Sequence, residues 1–541
     1  MISYILIFIS SSYFLVLNEN CIFINLTTRS FLTYYYNIVL HGKVIQRLLI
    51  EVFFLKKDNY SEMKKKIPNI KNIMRIRQSR KKGDMGYLDF FMLGFGSMVG
   101  VGWAVSSNRW IAQAGGPIPA FLGFIIATIL LIPIGLCHGE LLATLPQAGG
   151  VMVYTSKAFG RKLSFLSSWF LALSYLTILP WEAIYINTIL KKLVPFLSSS
   201  KILYYVAGYP IQASSIIMGV ILALLLFFIN FKGSNFASKL QSILSILIIL
   251  IGFIVIIFSF KAGSVYNFYP IYKNVGEGNH SSLFGGIIAV IVIVPFFMSG
   301  FDTIAQSVEE TSPDKKFKNV AIAMVLSIIA AGVFYSLVIL STGSVSNWQA
   351  YSLASPPAMG YLLQDAYRGR LGLILDKLIV IGTVSGLFST WNGMFMASAR
   401  LLQSMAKNNL IPKVFAKEHA EYGTPVTALI FSFFFAAVGP FVGMNLIDPL
   451  TSLGSVSFVI GWFLTCLSLA ALINKDKDYY TSFKAPGGKL TIYPAIIISA
   501  VIVISTFIPK TPSFMGYTAL IIFFFWLLLG LAFLKFYKKK D

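Results

Sequence analysis

Charged residues are scarce in this sequence. Asp, Glu, Lys and Arg together make up 12% of its 541 residues, about half the share found in soluble domains. Hydrophobic residues make up 56%, and a water-soluble fold has no means of hiding so much apolar surface. The deficit of charge excludes an ordinary soluble protein and indicates that the lipid bilayer is the main solvent of the chain.

Cysteine and histidine are also few. The three cysteines and four histidines are scattered, without the spacing of a disulfide framework or of a zinc site. We therefore expect no disulfide scaffold, no structural metal and no cofactor other than a coupling ion. The residues are Cys21, Cys137, Cys466, His41, His138, His280 and His419.

The chain lacks a nucleotide-binding loop of the form GxxxxGK followed by Ser or Thr, so we expect no ATP hydrolysis. Its formal net charge of +23 would suggest a nucleic-acid partner in a soluble protein. Here the basic residues lie in short loops between apolar segments, as in the cytoplasmic loops of membrane proteins, which face anionic lipid. We therefore expect a lipid bilayer and not nucleic acid as the partner.

Long apolar segments are what the sequence has instead. From residue 89 onward, about twelve of them are long enough, or nearly so, to cross a hydrocarbon core of roughly 30 Å. The pattern predicts an all-α integral membrane protein with about twelve transmembrane helices. The predicted spans are 89–110, 117–138, 163–190, 212–231, 236–260, 283–307, 318–342, 372–404, 425–443, 449–473, 490–508 and 514–536.

Basic residues concentrate in alternate loops between these spans. By the positive-inside rule, both ends of the twelve-helix core then lie in the cytoplasm, and we expect a multi-pass protein of the cell (plasma or inner) membrane. An even number of spans agrees with this orientation. The loops concerned carry Lys157, Arg161, Lys162, Lys232, Lys239, Lys315, Lys316, Lys318, Arg400, Lys407, Lys413, Lys417, Lys475, Lys477, Lys484 and Lys489.

Residues 1–84 form an N-terminal extension that ends in a basic segment. Its apolar stretch 2–17 is either an extra span or a signal-like segment, although it lacks a basic n-region and an obvious cleavage site. Our hypothesis is that natural translation begins at Met63, Met74 or Met85. The intact mass of the native protein would decide this.

Two of the spans are interrupted at membrane depth. The first contains Gly96, Gly100 and Gly102, and each glycine inside a helix costs about 1 kcal/mol relative to alanine. Close helix packing through small residues is the alternative explanation.

The sixth span contains Pro295 and then Gly300-Phe301-Asp302. A carboxylate inside an apolar span is a functional candidate, unless Asp302 lies near the cytoplasmic end and is solvated or caps a half-helix.

The two breaks together predict an architecture. They lie about 200 residues apart, each in the first helix of a five-helix block, which indicates an inverted repeat whose discontinuous helices meet at the midplane. The expected divisions are a first repeat (85–260), a second repeat (283–473) and two peripheral helices (490–536). Free N–H groups at such breaks suit a carboxylate and free carbonyls suit an ammonium group, so the site favours a zwitterion.

Four stretches of the sequence resemble the amino acid/polyamine/organocation (APC) superfamily of secondary transporters. The resemblance covers about residues 84–473, with weaker support beyond. The stretches are Gly96 to Gly102; Gly139-Glu140-Leu141 with Pro146-Gln147-Ala148-Gly149-Gly150, Tyr154 and Ala158-Phe159-Gly160; Phe297, Gly300-Phe301-Asp302 and Glu309-Glu310; and Ala399-Arg400 to Asn408, Pro412 and Gly423-Thr424-Pro425.

This resemblance implies a leucine-transporter-like fold of two inverted five-helix repeats plus two peripheral helices. Substrate would lie between discontinuous helices one and six. The backbone of Ser97, Val99, Gly100, Val101 and Gly102 would meet the carboxylate, and carbonyls around Phe297, Met298 and Gly300 the amine. Asp302 would belong to the same site, and Phe301 would be an aromatic gate.

Two features bear on a coupling ion. Proton-coupled members of the superfamily often carry a lysine midway along helix five, but counting along this helix leads to Ile248. Helix eight presents Gly386, Ser389 and Thr390 on one face, resembling the sodium site that relatives complete with first-helix carbonyls, here those of Gly96 and Val99. Oxygen-only ligation suits a hard cation. Alternatively, these hydroxyls bond to their own helix, so Na⁺ and H⁺ both stay open.

Glu182, in the third span, is the other intramembrane acid. It either carries a proton or recognises a second amine of the substrate, unless it lies at the extracellular surface and is solvated.

The main hypothesis is a gradient-driven or exchanging amino acid transporter that works by alternating access. A polyamine or other organic amine carrier is the alternative. A membrane enzyme would need converging catalytic groups that the sequence does not show, and broken helices favour a carrier over a channel.

Overall fold

The computed structural model describes residues 85–536, apart from 195, 198–199, 276–279, 353–357 and 476–480. The expectations for residues 1–84, including the alternative start sites Met63 and Met74, lie outside the described residues. Apart from one hairpin of two strands, the described chain is helical. The first half contains α1 (Tyr87–Met98), α2 (Gly102–Val105), α3 (Ser107–Ala114), α4 (Pro117–Thr144), α5 (Val151–Phe159), α6 (Arg161–Leu193), β1 (Ile202–Val206), β2 (Tyr209–Gln212), α7 (Ala213–Phe231) and α8 (Ser234–Ala262).

The second half repeats the pattern of long helices. It contains α9 (Leu283–Phe297), α10 (Thr303–Gln306), α11 (Phe317–Val345), α12 (Trp348–Ser352), α13 (Ala358–Tyr367), α14 (Gly369–Lys407), α15 (Val426–Val442), α16 (Ile447–Lys475), α17 (Lys489–Ser505) and α18 (Tyr517–Phe536). Short 3₁₀ helices lie at Val265–Phe268, Val308–Glu310, Lys413–Ala416 and Gly443–Leu446.

Nine stretches of the described chain are long and apolar enough to cross a membrane. One of them, Val426–Lys475, comprises both α15 and α16, and the shorter apolar helices α9 and α17 bring the number of spans to twelve. The prediction of an all-α, multi-pass membrane protein is therefore confirmed. The division into repeats at 85–260 and 283–473 stays a prediction.

The spans differ in how deeply they are enclosed. In the first span and in α6, 83% of the most apolar window is buried inside the protein, compared with 17% in α18. The exposed face of α18 carries large apolar side chains such as Phe525 and Leu528, which suits contact with lipid tails. The most enclosed helices are therefore α1, α2 and α6, while α18 lies at the periphery.

Two parts of the structure depart from the predicted pattern. Residues 202–212 form a hairpin, turning at Ala207 and Gly208, both with positive φ, where the sequence analysis expected only a loop. The connections before α6 and α14 contain short helices, α5, α12 and α13. All are shorter than a bilayer is thick, so a search for membrane-length apolar runs passes over them.

Candidate substrate site

The first span is broken where the sequence predicts. Helix α1 ends at Met98, Val99 has a non-helical backbone (φ −89°, ψ 79°), and α2 begins at Gly102. Glycines line the break because neighbouring groups approach too closely for a side chain. A β-carbon on Gly100 would lie 2.6 Å from the Thr390 hydroxyl oxygen and 2.9 Å from Oε1 of Glu182.

The sixth span is broken opposite the first. Helix α9 ends at Phe297 and α10 begins at Thr303. Between them Gly300 has φ +129°, a conformation that other residues rarely adopt. A β-carbon on Gly300 would lie 2.7 Å from the carbonyl carbon of Ser97. The two breaks are therefore in direct backbone contact.

Each break presents backbone groups that its own helix does not use. The amides of Val101 and Gly102 have no backbone acceptor among the described residues, and the carbonyls of Phe297 and Met298 have no backbone donor there. Such groups need an external partner. A β-carbon on Gly102 would lie 2.9 Å from the Phe297 ring, so the side chain of one break packs against the backbone of the other.

The remaining backbone groups of the predicted site are already engaged. Ser97 lies in the last turn of α1, and the amides of Val99 and Gly100 donate to the carbonyls of Phe95 and Met98 at 2.7 and 3.1 Å. The carbonyl of Gly300 accepts from the amide and the hydroxyl of Thr303. In this conformation, the amides able to receive a carboxylate are thus those of Val101 and Gly102.

Asp302 is buried but held by protein groups. Its carboxylate accepts a hydrogen bond of 2.5 Å from the Tyr175 hydroxyl, on α6, and one of 3.1 Å from the Gly300 amide. Only 1% of the residue is exposed, so it is neither solvated nor acting as a side-chain cap of α10. Asp302 fixes the geometry of the sixth-span break and ties it to α6.

Glu182 lies at the first-span break and not at the protein surface. The residue is 2% exposed, and its Oε1 faces Gly100 at the distance given above. Its Oε2 is buried without a hydrogen-bond partner among the described residues. Because a buried carboxylate oxygen without a partner is costly, Glu182 is the group at this site that most clearly requires an added proton or cation.

A cavity of about 170 Å³ lies beside the breaks, next to Phe297. Its rim carries Arg109, whose guanidinium binds both carboxylate oxygens of Asp448 at 2.7 and 2.9 Å. The indole N–H of Trp181 donates to the Thr451 hydroxyl at 3.1 Å within the lining. Arg109, Asp448, Trp181 and Thr451 lie outside the sequence motifs described above, so no sequence pattern indicated that they belong to a site. The lining is Ser106, Arg109, Trp110, Gln113, Trp181, Ile293, Phe297, Ile447, Asp448, Thr451 and Ser452.

Phe297 lines the cavity, whereas Phe301, the predicted aromatic gate, is not among the lining residues. The ring of Phe297 packs edge-on against Trp110, with ring centroids 4.7 Å apart, and lies against Gly102. Phe301 packs instead against His138 and Trp462, at 5.3 and 5.0 Å. Phe301 therefore does not line this cavity, because the break at Gly300 turns the following residues away from it.

Alanine substitutions at these two phenylalanines should separate their roles. We expect Phe297→Ala to raise the KM for substrate about tenfold, since a buried aromatic contact contributes roughly 1.5–3 kcal/mol. Phe301→Ala should instead lower the melting temperature with little change in KM, because it empties a packed interior position. Uptake kinetics and thermal unfolding of both variants measure this. A rise in KM for Phe301→Ala alone would support the prediction that Phe301 is the gate.

The residues of the predicted sodium site also come together. The Thr390 hydroxyl donates to the carbonyl of Gly96 at 3.1 Å, and Gly386 packs against the carbonyl of Gly100, near Val99. The Ser389 hydroxyl, however, accepts a hydrogen bond of 2.8 Å from the side-chain amide of Gln241 on α8. Ile248, the residue reached by counting along this helix, is buried in the apolar core.

The other side of the sixth-span break is fastened to the loop between α4 and α5. Arg400, on α14, binds the carboxylate of Glu310 and the hydroxyl of Ser307. The side chain of Gln306 accepts from the Gly149 amide at 3.1 Å, and Glu309 accepts from the Ala148 amide at 3.0 Å. These contacts join the end of the sixth span to α14 and to the loop between α4 and α5.

The structure thus defines a class: a multi-pass membrane transporter with two discontinuous spans in contact. Residues 85–540 match the family model described as "Amino acid permease". The chain belongs to this amino acid permease family, whose members are transporters and not enzymes, and the predicted membership of the APC superfamily is confirmed.

Three relatives show the range of the family. The branched-chain amino acid permease BcaP of Bacillus subtilis is 23% identical over 85% of this chain and 94% of its own length. The aspartate-proton symporter of the same organism is 25% identical over 86% of both chains. The chloroplastic cationic amino acid transporter 6 of Arabidopsis thaliana is 24% identical over 71% of this chain and 65% of its own. Amino acid transport is therefore the function at the level of the family.

Proposed function

We propose that this protein is a secondary active transporter that moves amino acids across the cell membrane by alternating access. The observation that carries the proposal is the contact of the two breaks, where Gly300 lies against Ser97. The two breaks that meet there carry amides without a backbone acceptor, at Val101 and Gly102, and carbonyls without a backbone donor, at Phe297 and Met298, among the described residues. Such groups are the complement of a zwitterion.

In this proposal the substrate carboxylate accepts hydrogen bonds from the amides of Val101 and Gly102. The substrate ammonium group donates to the carbonyls of Phe297 and Met298. The ring of Phe297 lies between the cavity and these groups and would move aside as substrate enters. Release on the other side would require that Arg400 and Glu310 separate, opening the closed end of the bundle.

The proposed orientation follows from charge. Both ends of the twelve-helix core would lie in the cytoplasm, since the basic loops collect at one end of the bundle. The cavity beside Arg109 and Asp448 would then face the outside, and the Arg400 contacts would close the inside. The structure would correspond to the state that is closed towards the cytoplasm.

Glu182 supports a second candidate, the transport of basic amino acids or other organic amines with a second positive charge. Its carboxylate lies at the first-span break, where a cationic group on the substrate would satisfy the oxygen that has no partner. The same carboxylate would serve equally as a proton carrier, and one relative is named an aspartate-proton symporter. Proton coupling and recognition of a second amine are the two roles to be separated.

Uptake into proteoliposomes tests the proposal. Purified protein would be offered labelled neutral, acidic and basic amino acids and putrescine, with and without inward proton and sodium gradients. We expect accumulation or exchange of at least one amino acid class. Liposomes without the protein should show neither. Putrescine uptake without any amino acid uptake or exchange would replace this proposal by the organic amine carrier, and currents far above carrier turnover would indicate a channel.

A further inference from the structure

A row of side-chain amides crosses the bundle next to the predicted sodium site. Asn230 on α7 donates to Asn392 on α14 at 3.0 Å, and Asn392 donates to Oε1 of Gln241 at 3.0 Å. Gln241 in turn donates to the Ser389 hydroxyl. All four residues are at most 5% exposed. We call this row the amide chain.

The direction of the amide chain is fixed at two points by backbone carbonyls. A carbonyl only accepts hydrogen bonds, so the Asn230 nitrogen is identified by its bond to Leu226, and the Asn392 nitrogen by its bond to Ala237. Asn392 then offers a second N–H to Gln241, whose oxygen must receive it. The amino group of Gln241 is therefore the end that points at Ser389.

This amino group lies beside Gly96, whose carbonyl belongs to the predicted sodium site. A β-carbon on Gly96 would lie 2.8 Å from Nε2 of Gln241 and would also strike the hydroxyls of Ser245 and Ser389. Ser245, one helical turn after Gln241, donates to the carbonyl of Met92 in α1 at 2.9 Å. The space beside Gly96 is thus filled by N–H and O–H donors.

A hard cation needs oxygen lone pairs directed at it from several sides. Here the carbonyl of Gly96 receives the hydroxyl of Thr390, and Ser389 receives the Gln241 amide. Both contacts use lone pairs that a sodium ion would otherwise receive, and the amide nitrogen of Gln241 has no lone pair to offer a cation. We propose that the amino group of Gln241 takes the place of the coupling cation: it holds Ser389 of α14 to α8 beside Gly96, while the hydroxyls of Ser245 and Thr390 bond the first span to the same two helices.

Two consequences follow. The broken first span keeps its link to α8 and α14 without any ion, and neutral amides that are hydrogen-bonded cost less at membrane depth than a charge does. The transporter should therefore neither bind nor require sodium. The prediction that transport does not require sodium rests on the proposed transport function. The prediction that the protein does not bind sodium can be measured without any substrate.

The test uses the full-length protein in detergent, comparing its melting temperature in sodium and in potassium chloride at equal concentration. We expect no sodium-specific shift for the wild type. Gln241→Glu exchanges the donor for a carboxylate and leaves an all-oxygen cluster, so sodium should raise its melting temperature by about 2–5 °C. Gln241→Ala, which only removes the amide, should respond in the same direction but more weakly. Gln364→Glu, a matched substitution on α13 and outside the cavity lining, should not respond.

Sodium-specific stabilisation of the wild type would overturn the inference, whatever the variants do. The absence of a sodium response in both Gln241 variants would overturn it as well, since the amide would then not be what excludes the cation. Uptake by the wild type in sodium and in N-methylglucamine gives a second readout, with equal rates expected. A protein that transports no amino acid but shows the expected sodium responses would refute only the proposed function.

Discussion

Replacing Gly300 by alanine should nearly abolish transport. We expect uptake to fall by roughly 100-fold or more, because a non-glycine residue in a strained backbone region costs about 1–3 kcal/mol and the new methyl group meets the Ser97 backbone at the same time. The overlap falls at the contact between the two breaks, where no flexible side chain can give way. Initial uptake rates, normalised to the folded protein in the liposomes, measure the effect.

Gly160→Ala is the matched control for backbone strain. Gly160 also has a positive φ, of +80°, but a β-carbon there would have no neighbour within 4 Å. This variant should lose about 1–3 kcal/mol of stability and keep most of its uptake. Equal losses of uptake in the two variants would mean that the contact of the breaks is not what transport depends on.

The positions of the spans and of their breaks could be predicted from the sequence, because the residues of each segment determine them. Membrane-length apolar runs locate the spans, and the glycines around Gly100 and the pair Pro295 and Gly300 locate the breaks. Both signals are contained within one segment of chain. They need no knowledge of what lies opposite.

The contacts of the side chains could not be predicted from the sequence, because a break in a helix changes the direction in which the following side chains point. Phe297 and Phe301 are one turn apart by count, yet the positive φ of Gly300 places them on different sides of the break. Counting along α8 to Ile248 has a related limit, since the rotation of α8 about its axis decides which residue faces Gly96. Gln241 could have been found by its spacing of four from Ser245, which puts both on one helical face.

Asp302 and Glu182 show the same limit for charge. Both are intramembrane acids, and the sequence marked both as candidates for function. Only the fold distinguishes them: Asp302 is paired with Tyr175, 127 positions away in the chain, whereas Glu182 keeps an oxygen without a partner. The carboxylate more available to a ligand is therefore the one outside any recognised motif.

Glu182→Gln should remove the transport of substrates with a second positive charge. If the carboxylate pairs with a substrate amine at the first-span break, the KM for lysine or arginine should rise by roughly 100-fold or more, since breaking a buried ion pair costs about 3–5 kcal/mol. Uptake of neutral amino acids should change far less, because their carboxylate and ammonium groups bind backbone atoms. Glu182→Asp should retain part of the basic-substrate uptake, and Glu421→Gln, an exposed acid, should match the wild type.

The proton-carrier role gives a different pattern with the same variant. Glutamine cannot release a proton, so Glu182→Gln would lose proton-driven accumulation of every substrate while still exchanging internal for external amino acid. Substrate-dependent loss therefore identifies recognition of an amine, and loss of accumulation with intact exchange identifies proton coupling. A uniform loss of both activities, together with a lower melting temperature, would assign Glu182 to folding alone, because the buried carboxylate then contributes to packing and not to either ligand.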